Sequence, residues 1–129
     1  NNTIRSDKAL VIKAKGNVIN NKVMIAGTKL AVETEGNLTN AAGATISAAT
    51  THVNVATDLT NKGNLVASDQ LNITAGRTIT NASHLLSDGS AMIKAKTVNN
   101  NGKTAILGGS QSLVLEAEKV SGTGSIVGS

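Results

Sequence analysis

The sequence predicts an all-β chain wound as a parallel β-helix, a β-solenoid of about six coils of roughly 20 residues each. Three observations predict it. A short motif returns along the chain as "GNVINNK", "GNLTNAAG", "TDLTNKG", "RTITNAS" and "KTVNNNG". The apolar residues around it alternate with the period of two that marks strands, not the ~3.6 of a helix. Phe, Tyr, Trp, Pro and Cys are all absent, so the core is built from Leu, Ile, Val and Ala. Aromatic rings bury the most area per side chain, and their absence implies an interior too narrow to hold them.

Each unit opens on an alternating stretch. These are Leu10 and Ile12, Leu30 and Val32, Val53 and Val55, Leu71 and Ile73, Ala91 and Ile93, and Leu113 and Leu115. Runs of about three to five such residues, bounded by Gly, Asn, Ser or Asp, read as short strands. Next comes an apolar residue ahead of a corner: Val18, Leu38, Leu59, Ile79, Val98 and a degenerate Val120, spaced 19 to 22 residues apart. Two places on stand Asn20, Asn40, Asn61, Asn81 and Asn100, with Gly122 in the sixth unit. One more apolar residue follows: Met24, Ile46, Leu65, Leu85, Ile106 and Ile126.

A single unit cannot bury its own apolar face, whereas stacked units can. At the strand spacing of ~4.8 Å, the stack makes a rod roughly 30 Å long. A leucine-rich repeat would need an outer helix or turn in each unit, and no helical period is present. An antiparallel sandwich would show hairpin signals instead of a constant column order.

The corner motif has a structural logic. In "GNLTN", Leu38 faces inward, Thr39 outward, and Asn40 turns the corner, where the left-handed backbone that Asn tolerates is expected. An Asn amide both donates and accepts. Stacked at the strand spacing, Asn20, Asn40, Asn61, Asn81 and Asn100 form a hydrogen-bonded ladder. The outward Thr39, Thr60 and Thr80 form a short row beside it, and packing is its economical reading.

Charge supports the stacking. Lys13 and Lys15 are followed one unit later by Glu33 and Glu35, and Lys94 and Lys96 by Glu116 and Glu118. In a parallel stack each Lys pair faces a Glu pair on the next coil, which favours that register.

Chemistry is harder to find. The net charge of +4 is modest, and no run of five or more Lys or Arg exists. Single-stranded nucleic acid is bound largely by stacking on aromatic rings, so no nucleic-acid partner is expected. No apolar run reaches the ~20 residues of a transmembrane helix, so no transmembrane segment is expected. Glu33 with Glu35, and Glu116 with Glu118, have a spacing suited to carboxylate pairs of glycoside hydrolysis, but their Lys neighbours give the simpler account. His52 and His84 stand alone without a metal-ligand spacing, and Asp58 is read as a turn residue. The "GTGSIVG" run at 122–128 has the wrong last interval for a dinucleotide site. No catalytic residue, cofactor or metal is therefore expected. Lys13, Lys15, Lys94 and Lys96 are the weak candidates for binding an anionic ligand such as a sulfated glycan.

The units "GNLTNAAGATISA", "TDLTNKGNLVASDQLNITAG" and "RTITNASHLLSDG" resemble the haemagglutinin repeats of filamentous haemagglutinin-like exoproteins, from about Ala9 to Gly128. That family includes two-partner-secretion adhesins and the effectors of contact-dependent growth inhibition. The resemblance implies a right-handed parallel β-helix, secreted or held at the bacterial cell surface. It implies export through an outer-membrane two-partner-secretion transporter, in a filament that presents adhesive, receptor-binding or toxin regions. On this reading residues 1–129 are one solenoid segment excerpted from a longer filament. Its partners are neighbouring coils of the same chain, and a host-cell or bacterial surface receptor. The expected function is a non-catalytic structural rod. The alternatives are a module whose coil face binds a glycan or outer-membrane receptor, and a polysaccharide lyase or hydrolase fragment.

Overall fold

A computed structural model describes residues 3–102 and 105–127; Gly128, at the end of the "GTGSIVG" run, lies outside them. Seventeen strands and no helix make up this part of the chain. The first coil contains β1 (Thr3–Ser6), β2 (Ala9–Ala14) and β3 (Val18–Asn20). The second contains β4 (Val23–Ala26), β5 (Lys29–Thr34) and β6 (Leu38–Asn40). In the third and fourth, the first two strands merge: β7 (Thr45–Val55) with β8 (Leu59–Asn61), then β9 (Asn64–Ala75) with β10 (Thr78–Asn81). The fifth has β11 (His84–Ser87), β12 (Ser90–Lys94) and β13 (Thr97–Asn100). The sixth has β14 (Ile106–Gly109), β15 (Ser112–Glu116) and β16 (Lys119–Ser121), and β17 (Ser125–Val127) begins a further turn.

Every pairing is parallel and joins a strand to its equivalent one coil away. One face runs β1-β4-β7-β9-β11-β14-β17, and a second, joined to it through β7 and β9, runs β2-β5-β7-β9-β12-β15. The third is a separate six-stranded sheet, β3-β6-β8-β10-β13-β16. The structure is thus the β-solenoid that the repeat predicts.

Inside, three apolar columns are continuous. Leu38, Leu59 and Ile79 lie in register, and all three are fully buried. Val32, Val53, Ile73 and Ile93 form a second column. Met24, Ile46, Leu65 and Leu85 form a third. Full burial of an aliphatic side chain stabilises by about 1.5–3 kcal/mol. No single coil reaches it alone, so stacking itself supplies the stability.

Four expectations need correction. First, the partner of Leu30 in the third coil is Thr51, and Val32 pairs with Val53. Val55 belongs to the column of Thr34 and Ala75. The third unit therefore is not anchored on Val53 and Val55; Thr51 is a fully buried polar residue in an apolar column. Its hydroxyl donates to the Val66 carbonyl at 3.2 Å. Second, Leu85 pairs with Leu107, not Ile106, and Leu107 is the buried one.

The physical reason for the second slip lies in the corners. Met24 follows its corner Asn by four positions, Ile46 by six and Leu107 by seven. The two widened corners contain Gly43 at φ 79° and Gly102 at φ 120°, conformations that Gly adopts without steric cost. Third, the corner Asn residues are not left-handed: among the described residues no non-glycine has positive φ. Each ends a strand with its side chain inward. Fourth, β7 and β9 run 11 and 12 residues, beyond the short strands expected. A register shift between Ala48 and Thr50 carries β7 round the bend without a break.

Candidate functional site

Two arrangements of polar residues repeat along the rod, one inside and one outside. The inner one is the Asn ladder. Asn20 Nδ2 donates to Asn40 Oδ1 at 2.9 Å, Asn40 to Asn61 at 2.8 Å, Asn61 to Asn81 at 2.9 Å, and Asn81 to Asn100 at 2.8 Å. Each Nδ2 also donates to a strand carbonyl beyond the next corner. The acceptors are Thr45, Asn64, His84, Ile106 and Ser125, at 2.6–2.9 Å. All five side chains are buried. A buried amide is tolerated because its hydrogen-bonding groups are met, and here the partners come from the same position one coil away. The ladder ties the third face to the first at every corner, and its burial leaves it no access to a ligand.

A second ladder escaped the sequence reading. The Asn37 N–H donates to Asn17 Oδ1 at 2.9 Å, the Asp58 N–H to Asn37 Oδ1 at 3.1 Å, and the Thr78 N–H to Asp58 Oδ1 at 3.2 Å. Asp58 is thus more than a turn former: it caps the backbone of the next coil. The signal was present, since the residue before Val18, Leu38 and Leu59 is Asn, Asn and Asp.

The outer arrangement is charged. Down the second face one outward column reads Lys13, Glu33, Asn54, Thr74, Lys94 and Glu116. Lys13 and Glu33 are register partners, as are Lys94 and Glu116. Lys94 Nζ lies 4.0 Å from a Glu116 carboxylate oxygen, the one ion pair among the described residues, with both side chains more than 60% exposed (65% and 62%). Lys96 accepts through its carbonyl from the N–H groups of Glu118 and Lys119. Glu33, Asn54 and Thr74 separate the two Lys pairs, so the four lysines form no common basic patch.

Lys13, Lys15, Glu33 and Glu35 line a shallow open groove with Asn54 and Ala56. It holds both signs of charge and no aromatic platform. Glu33 and Glu35 are exposed and share this groove with Lys13 and Lys15, without an ion pair between them. His52 faces out between Ala31 and Asn72 on the second face. His84 lies on the first, with Nδ1 3.2 Å from the Ser83 hydroxyl. No group of three or more His, Asp or Glu among the described residues is placed to hold a metal ion.

The haemagglutinin repeat model matches residues 1–42 and 35–124, nearly the whole chain. The chain belongs to the haemagglutinin repeat family. No curated protein and no solved structure matches it. Haemagglutinin repeats are a structural repeat type, typical of secreted or surface proteins. In this haemagglutinin-repeat chain the recurring Asn of the motif is the inner ladder, and the apolar residue two places ahead of it is the buried spine.

Proposed function

We propose that this chain is a non-catalytic rod segment of a secreted or cell-surface bacterial adhesin, whose work is to set length and stiffness and to present other regions. The observation that carries the reading is the continuous register of Leu38, Leu59 and Ile79 beside the unbroken Asn ladder. Such a stack resists bending because tilting one coil breaks a ladder bond and opens the apolar spine. Neighbouring coils of a longer filament are its first partners. Passage through an outer-membrane two-partner-secretion transporter suits a Cys-free chain whose coils fold by adding to one another. The same rod serves an effector of contact-dependent growth inhibition equally well.

The test is binding of the purified chain to host cells, bacterial cells and sulfated glycans. A pure rod gives no saturable binding. The open groove of Lys13, Lys15, Glu33 and Glu35 favours a second reading, a face that binds a glycan or an outer-membrane receptor. Saturable binding that is lost on Lys13→Ala or Lys94→Ala establishes that reading instead. Release of reducing sugar or unsaturated product from polysaccharides would establish the lyase or hydrolase alternative.

A further inference from the structure

The Asn ladder has two unlike ends. At its C-terminal end Asn100 Nδ2 donates to the Ser125 carbonyl at 2.6 Å, and the next corner position is Gly122 at φ 118°. A Cβ there would collide with the Asn100 backbone, so no Asn fits and the ladder is closed. At its N-terminal end Asn20 is fully buried, and its Oδ1 is the one buried side-chain polar atom without a hydrogen-bond partner among the described residues. Along the rest of the ladder that same atom is fed by the Nδ2 of the preceding corner, at 2.8–2.9 Å. A buried acceptor left unmet costs about 1–3 kcal/mol, and nature rarely leaves one so.

We propose that the β1–β3 edge is a docking edge for one more solenoid coil, whose corner side chain is an amide that donates to Asn20 Oδ1. The apolar columns point the same way. Ile4, Leu10, Ile12 and Val18 pack on the core but stay half-buried, while their partners Met24, Leu30, Val32 and Leu38 are fully buried. The occupant therefore carries aliphatic residues over these four and Asn or Gln at its corner. An amide so placed would extend the ladder beyond Asn20, whereas Gly122 ends it at the other side. This deepens the rod reading and rests on it.

The test places a second copy of residues 21–40 directly before Asn1. The spacing of 20 residues between Asn20 and Asn40 puts the copied Asn40 one coil from Asn20, and the copied Glu33 and Glu35 beside Lys13 and Lys15. A control extension ends in Ala instead of Asn. Backbone amide exchange is followed in β2 and β3, with β6 to β10 as internal reference. The Asn-ended extension is expected to slow exchange in β2 and β3 at least about fivefold more than the Ala-ended one. Equal slowing by both, or none by either, overturns the proposal, since water or bare stacking would then suffice for Asn20. Unprotected amides across β6 to β10 in the unextended chain would overturn the solenoid reading itself, a distinct result.

Discussion

The side-chain amide of Asn40 donates to Asn61 Oδ1 at 2.8 Å and to the Asn64 carbonyl at 2.9 Å, so one buried group joins two coils and two faces. The energetic weight of the ladder follows from such double use. Asn61→Ala removes its own two donated bonds, to Asn81 Oδ1 and the His84 carbonyl, and the one it accepts from Asn40. It leaves Asn81 Oδ1 with only the Ser83 N–H, at 3.3 Å, as a donor. A loss of about 2–4 kcal/mol is expected. Asn20→Ala removes only donated bonds, because Asn20 Oδ1 accepts none, and should cost less. Urea denaturation of both variants checks the order; an Asn20→Ala loss equal to that of Asn61→Ala contradicts it.

Register in the third coil is tested by charge insertion. Thr51 is fully buried and Asn54 is exposed on the same strand. Thr51→Lys forces an ammonium into the aliphatic column and should cost about 3 kcal/mol or more. Asn54→Lys should stay within about 0.5 kcal/mol of the parent. Thermal melts that rank the two in the opposite order would contradict the inward place of Thr51 and the outward place of Asn54.

That pair also marks what the sequence disclosed. The columns of Leu38, Leu59 and Ile79, and the ladder from Asn20 to Asn100, were legible because every member has the same chemistry at a near-constant interval. Thr51 was not: alternation puts it on the same face as Val53 and Val55, but its hydroxyl made the apolar pair Val53 and Val55 look like the anchor of the unit. Leu107 was hidden because both Ile106 and Leu107 are apolar, and only the length of the corner around Gly102 decides between them. The outer ladder of Asn17, Asn37 and Asp58 was passed over because its residues double as ordinary turn formers. The facing of Lys13 and Glu33 was legible from the unit interval, whereas the place of Asn54 in the same groove depends on how the third coil pairs.

The outer charges are a weaker force. Lys94 and Glu116 are mostly exposed, and such pairs contribute about 0.2–1 kcal/mol. A double-mutant cycle of Lys94→Ala and Glu116→Ala should give a coupling in that range that shrinks as salt is raised. Glu33→Lys should destabilise the chain, with Lys13→Glu added to it restoring part of the loss. Simple additivity in both experiments would remove charge from the account of register.

Close backbone approach fixes certain glycines. A Cβ on Gly89 would fall against the carbonyl of Asp69, whereas one on Gly16 would meet nothing within 4 Å. Gly89→Ala is therefore expected to lower stability by about 1–3 kcal/mol, and Gly16→Ala to leave it nearly unchanged. Similar midpoints for the two variants would mean that the coils do not approach as closely as described.

The central claim is that positions one unit apart lie directly over one another along an aliphatic spine. Methyl-resolved nuclear Overhauser spectra of the chain test it most directly. Strong contacts between Leu38 and Leu59, and between Leu59 and Ile79, together with none between Leu38 and Ile79, are the pattern expected of stacked coils. Absence of the Leu38–Leu59 contact in a folded sample, or helical chemical shifts across β6 to β10, would contradict it.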